Sequence, residues 1–191
     1  WRTMGTEQDL IARLRRGDRE AQRELYEATS GRIYGVLLKI TRNKDVALEL
    51  AQETYLRAFT RFKDFTGRSS PASWLYRIAV NEALQYLRRE KSEGEHLRIL
   101  RHRRDRYSGE APAALRLDVQ AVLARLDPID RTILVLRYQE GMDYRTIAQV
   151  LECEAGTVAS RLNRARARLR EKLADAYAPR EEIRGDFHQR N

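Results

Sequence analysis

Apolar residues recur along this chain at helical rather than alternating spacing, glycine and proline are sparse, and no β-branched run is bounded by turn residues. An all-α fold is expected. Leu10, Ile11 and Leu14 mark a helix from Glu7 to about Arg16, stopped by Gly17, with Asp18 as the cap of the next. Ala21, Leu25 and Ala28 predict a second helix, and Ile33, Tyr34, Leu37 and Ile40 a third. A long fourth covers residues 44–62, and Phe65-Thr66-Gly67-Arg68-Ser69 reads as a loop. Ser70-Pro71, a cap followed by proline at the first helical position, opens a fifth helix that runs to about Glu90.

Between Ser92 and Pro112 the periodicity fails while charge stays dense, as in Arg101-His102-Arg103-Arg104-Asp105-Arg106. These residues predict a linker between two small helical domains, with a ragged surface helix over Leu97 and Leu100 as the other reading. Further helices are expected over 114–126, over 128–138 with Asp127 as cap, over 144–151 and over 156–177. The chain therefore divides into a first domain over 1–92, a linker over 93–113, a second domain over 114–177, and a polar tail over 178–191 expected to be disordered.

Charge narrows the partner. Against 28 acidic residues stand 37 Lys and Arg, and a net charge of +9 over 191 residues favours a polyanion. The single cysteine, Cys153, can form no internal disulfide and reads as a small apolar residue of a turn, which points to the cytoplasm. No apolar run approaches the ~18 residues of a membrane span, and Trp1-Arg2-Thr3-Met4 does not resemble a signal peptide. His96, His102 and His188 fall in the linker and tail without companions, so no metal, cofactor, small-molecule substrate or catalytic site is expected, and a nuclease is disfavoured.

Asp143 to Arg170 has the layout of a helix-turn-helix, a short helix, a turn through Glu152-Cys153-Glu154 and a second helix. On a wheel, Val158, Leu162, Ala165, Leu169 and Leu173 share one side of that second helix. Thr157, Ser160, Arg161, Arg164 and Arg168 share the other, hydroxyls near the start and arginines beyond, an arrangement suited to base edges and phosphates of a major groove. On the fourth helix Asp45, Glu49, Gln52 and Glu53 form an acidic stripe that fits a basic protein partner and equally an ordinary solvated face. On the fifth, Leu75, Ala79, Ala83 and Tyr86 face inward. Trp74, Arg77, Asn81, Gln85 and Arg88 form another stripe, where the indole either stacks on an unpaired base or packs against the preceding loop.

Longer strings carry a family resemblance. Leu126-Asp127-Pro128-Ile129-Asp130-Arg131, then Arg137-Tyr138-Gln139-Glu140-Gly141-Met142-Asp143-Tyr144, and Gly156-Thr157-Val158-Ala159-Ser160-Arg161-Leu162-Asn163-Arg164-Ala165-Arg166 resemble region 4 of the extracytoplasmic-function sigma factors. Glu49-Leu50-Ala51-Gln52-Glu53-Thr54-Tyr55-Leu56-Arg57-Ala58-Phe59 resembles region 2.2 of the same family. Phe65-Thr66-Gly67-Arg68-Ser69-Ser70 with Trp74-Leu75-Tyr76-Arg77-Ile78-Ala79-Val80-Asn81 and Tyr86-Leu87-Arg88-Arg89 resembles regions 2.3 and 2.4.

The resemblance implies that the second domain reads the −35 element and touches the β flap of RNA polymerase. It implies that the stripe extended by Leu56 docks on the β′ clamp helices, and that the loop, Asp64, Gly67, Arg68, Ser69 and Ser70, holds a base flipped from the −10 element. An anti-sigma factor is a further implied partner. The sequence departs from the family at Leu48, Pro71, Glu152 and Ala159, where an acid, an aromatic, a Gly and a Lys are common. The competing reading is a stand-alone helix-turn-helix regulator that acts without polymerase.

Overall fold

The computed structural model describes the backbone of residues 7–101 and 126–177, with side chains over 7–92 and 126–171. In chain order the helices are α1 (Glu7–Arg15), α2 (Arg19–Thr41), α3 (Lys44–Thr60), α4 (Pro71–Arg101), α5 (Pro128–Tyr138), α6 (Tyr144–Leu151) and α7 (Ala155–Tyr177), with a 3-10 turn at Phe62–Asp64. The linker beyond Arg101, the helix expected over 114–126 up to Leu126, and the tail lie outside the described residues.

The caps expected at Asp18 and Asp127 are present, and Asp143 and Asn43, which the sequence reading did not name as caps, act in the same way. Asp18 accepts from the backbone N–H groups of Glu20 and Ala21, Asp127 from that of Ile129, and Asp143 from that of Thr146, each relieving a donor that the first turn leaves unpaired. Asn43 does the same for α3 through Asp45 and Val46.

Two expected boundaries are corrected. The second and third expected helices are one continuous α2 of 23 residues. Thr29-Ser30-Gly31 does not break it: the Thr29 hydroxyl donates to the Leu25 carbonyl at 2.6 Å, which satisfies it inside the helix, and lies 2.7 Å from the Tyr55 hydroxyl, which ties this turn to α3. Gly31 costs about 1 kcal/mol in a helix interior. Burial of Leu25, Ile33, Val36, Leu37 and Ile40 on either side offsets it. Likewise α4 runs through Glu90 and Ser92 to Arg101, into the expected linker. From Ala72 to Ala111 there is no proline, and Glu, Lys, Arg and Leu, all good helix formers, make up most of the stretch from Glu90 to Arg101.

In the first half α2, α3 and α4 pack around Ile33, Leu37, Ile40, Ala47, Ala58, Leu75 and Val80. In the second, α5, α6 and α7 enclose Ile133, Leu136, Ile147, Val158 and Leu162. The halves also touch, α5 against α2 and α6 against α4. Arg131, only 6% exposed, donates to the Ile40 carbonyl at 2.9 Å in the last turn of α2, where the helix dipole favours a cation. Burial pulls its guanidinium pKa down. The Glu140 carboxylate, 2% exposed, accepts from Arg32 Nε at 2.9 Å and from the Tyr76 hydroxyl.

Candidate nucleic-acid interface

α6, the turn and α7 form the expected helix-turn-helix. The turn reverses through Glu152, which sits in the left-handed region at φ 52°, and its neighbour Cys153 donates its N–H to the Ala148 carbonyl at 3.0 Å. A glycine would adopt that φ without strain, so the departure at this position has a conformational cost. Cys153 is half-buried and burial pushes its thiol pKa up, as suits a packing residue rather than a reactive one.

On α7, Val158, Leu162 and Ala165 are fully buried, while Thr157, Ser160, Arg164 and Arg168 are exposed and Arg161 is half-buried. The wheel reading of this helix agrees with the structure at these positions because one side only is covered, by α5 and α6; Leu169 of the expected apolar side is half-buried, and the side chain of Leu173 lies outside the described residues. Two of the arginines are engaged by a residue that the sequence did not single out for contact: Asp130 in the first turn of α5 pairs with both Arg161 and Arg168.

The first half departs further from expectation. Trp74 is 8% exposed and packs edge-on against Phe62 and Phe65, with ring centroids 5.4 and 5.5 Å apart. Its grouping with the outward residues of α4 is corrected, and of its two expected settings the one seen is packing against the preceding segment: the 3-10 turn folds Phe62 and Phe65 over the first turn of the helix, and a large aromatic is best satisfied there. Of the other residues on that stripe, Gln85 and Arg88 are exposed, Arg77 and Asn81 half-buried. Arg77 lies 3.5 Å from Glu152, so the helix-turn-helix meets this stripe at its middle.

Ahead of α4, Asp64, Gly67 and Arg68 are exposed, and Ser69 and Ser70 are half-buried. Gly67 takes φ 76°, and Arg15 ties the loop to α1 by donating to the Phe65 carbonyl at 2.9 Å. The Ser70 hydroxyl caps α4 by accepting from the Ser73 N–H at 3.1 Å, which leaves Ser70 a structural task beside any contact with DNA. An open cleft lies between Glu7, Gln8 and Ile11 of α1 and Gly67, Arg68 and Ser69 of the loop.

The acidic stripe is on the surface. Asp45, Glu49, Gln52 and Leu56 are exposed, Leu56 at 64%, and Glu53 is half-buried beside Arg57. Glu49, Gln52, Glu53 and Leu56, but not Asp45, line a groove of about 330 Å³ together with Tyr86 and Arg89 of α4. Glu82 at its floor, absent from the sequence reading, is buried and paired with Arg57. Among the described residues no group of His, Cys, Asp and Glu could hold a metal ion, and no helix is long and apolar enough to cross a membrane.

Comparison with known proteins agrees with this layout. Residues 25–93 match the family model for sigma-70 region 2, and residues 116–169 that for sigma-70 region 4. The chain is 32% identical to the ECF RNA polymerase sigma-E factor of Haemophilus influenzae over 88% of its length and 95% of the relative's. It is 34% identical to the RNA polymerase sigma-H factor of Pseudomonas aeruginosa over 86% of its length and 92% of the relative's. Its fold is similar to that of the sigma factor RpoE in complex with the anti-sigma factor NepR from Bartonella quintana, with TM-score 0.62, 24% identity, and 79% of this chain and 95% of that one covered. A second similar fold is CnrH in complex with the cytosolic domain of CnrY, with TM-score 0.67, 23% identity, and 90% and 99% covered. A helical first half carrying the region 2 strings, a helix-turn-helix second half carrying those of region 4, and relatives aligned over nearly their whole length together place this chain in the extracytoplasmic-function sigma factors, the sigma-70 family proteins that direct transcription initiation.

Proposed function

We propose that this sigma factor reads its promoters at two places, with α7 on the duplex −35 element and with α4 and the loop before it on the melted −10 element, while α3 holds core RNA polymerase. Residues 1–92 form the unit that binds polymerase and −10 DNA, residues 114–177 form the −35 unit that also meets the β flap, and 93–113 connect them. The observation that carries this reading is the asymmetry of α7, whose Thr157, Ser160 and Arg164 edge is open while Val158, Leu162 and Ala165 are sealed. An exposed edge of hydroxyls and arginines on the second helix of a helix-turn-helix suits a major groove.

No chemistry is asked of the chain. Melting follows if the open strand is bound better than the duplex, so the energy comes from differential binding rather than from a reaction. In the −10 unit, Arg68, Arg77 and Arg88 supply cations to a single-stranded backbone, and Asp64, Gly67, Ser69 and Ser70 shape the rim of the loop beside α1. Asn81 and Gln85 offer amides to bases. Trp74 supports this surface from beneath through Phe62 and Phe65. The protein acts in the cytoplasm, and an anti-sigma factor is its expected regulator.

The test is transcription by purified core polymerase on a pool of genomic promoters, with and without this chain; polymerase that gains no promoters refutes the reading. A stand-alone regulator would instead bind DNA unaided by polymerase, and the match of residues 25–93 to region 2 argues against it.

Two substitutions separate the surfaces. Glu53→Lys reverses a charge in the α3 groove without touching the core, and is expected to cost at least tenfold in core polymerase affinity by fluorescence titration while the second half still binds DNA. Replacing both Arg161 and Arg164 by Ala should weaken −35 duplex binding and flatten the dependence of log K on log salt by up to about 2. An unchanged slope would count against phosphate contact by this helix.

A further inference from the structure

The outward arginines of α7 are not equivalent. Arg161 and Arg168 are seven residues apart, two helical turns, and so lie nearly above one another on one face. One carboxylate reaches both: Asp130 Oδ1 accepts from Arg161 Nη1 at 3.4 Å and Oδ2 from Arg168 Nη1 at 3.1 Å. Asp130 is 7% exposed, and its place in the first turn of α5 sets its negative charge at the positive end of that helix. Arg164, between the two, is exposed and makes no ion pair among the described residues.

We infer that Asp130 is a positioning residue for −35 readout, one that raises sequence discrimination by holding Arg161 and Arg168 in fixed directions and by lowering their attraction for phosphate on any other DNA. This rests on the reading of α7 as the −35 helix. Two physical effects act in the same direction. An arginine has many rotamers, and a guanidinium already held loses less freedom when it meets a base edge, so the contact rewards correct geometry. A carboxylate beside two guanidiniums also cancels one of three positive charges, which weakens the sequence-independent part of binding more than the geometric part. Burial keeps Asp130 from turning away, since α5 and α7 close over it.

The experiment uses holoenzyme assembled with the full chain, carrying Asp130, Asp130→Asn or Asp130→Glu. Promoter fragments are first selected from a randomised pool by the unaltered holoenzyme, then compared with the same fragments scrambled only in the −35 segment. Asp130→Asn is expected to bind scrambled fragments several-fold more tightly, to steepen their salt slope by about 1, and to lower the ratio of selected to scrambled affinity at least fivefold. Asp130→Glu should recover part of that ratio. A purely structural role for Asp130 predicts parallel weakening on both fragments together with a lower melting temperature, and that result overturns the proposal. So does an unchanged ratio. If the unaltered holoenzyme selects no −35 sequence at all, the promoter reading of α7 fails and takes this inference with it, whereas selection followed by an unchanged ratio removes only the role of Asp130.

Discussion

Trp74→Ala should destabilise the first half by about 3–5 kcal/mol, the usual cost of removing a large buried aromatic. The indole completes a cluster in which Phe62, Phe65 and Trp74 each touch the other two, so its removal takes one aromatic neighbour from each phenylalanine at the start of α4. Urea denaturation followed by circular dichroism measures the loss, and a shift under about 1 kcal/mol would mean that the aromatic cluster contributes little. Trp74→Phe separates support from contact. If the indole acts from beneath, phenylalanine retains most of the stability and most of the promoter opening seen by permanganate footprinting. Loss of opening at full stability would instead show the indole stacking on a base.

The second large effect belongs to the boundary between the halves. Glu140→Lys should separate them, raising the radius of gyration in small-angle scattering and lowering energy transfer between labels on α1 and α7. The glutamate lies almost wholly out of water, where it binds Arg32 and the Tyr76 hydroxyl, whose pKa burial raises. A lysine there faces a like charge and leaves the hydroxyl without its acceptor, a loss of about 1–3 kcal/mol for the unsatisfied group alone. Arg77 is then released from Glu152, so the variant is expected to bind single-stranded −10 DNA more readily than the original chain. An unchanged radius would show that Arg131 on the Ile40 carbonyl and the apolar contacts of α2 and α4 hold the halves without Glu140.

Both predictions turn on residues that local pattern does not expose. The α7 face was readable because the helix is covered on one side, so a wheel separates Val158 and Leu162 from Ser160 and Arg164. The same method misplaces Trp74 because α4 is a central helix: Leu75, Tyr76, Val80, Ala83 and Leu84 are all buried, and α2, α3 and α6 pack against different sides of it. A wheel with several covered sectors has no single outward stripe. The fused α2 shows the reverse weakness, since Gly31 looks like a stop until the packing of its neighbours is known.

The amino-acid sequence by itself determined the all-helical class, the caps at Asp18 and Asp127, the helix-turn-helix and the exposed edge of its second helix, and the strings that place the chain in its family. These depend on residues three or four apart, so each window contains its own answer. Tertiary structure alone decided that Trp74 is core, that Asp130 joins Arg161 and Arg168, and that Glu140 and Arg131 fasten one half to the other. The partners that Asp130, Glu140 and Arg131 meet on other helices stand from 31 to 108 residues away, and which of them meet depends on how whole helices pack, a choice made by burial and charge in three dimensions.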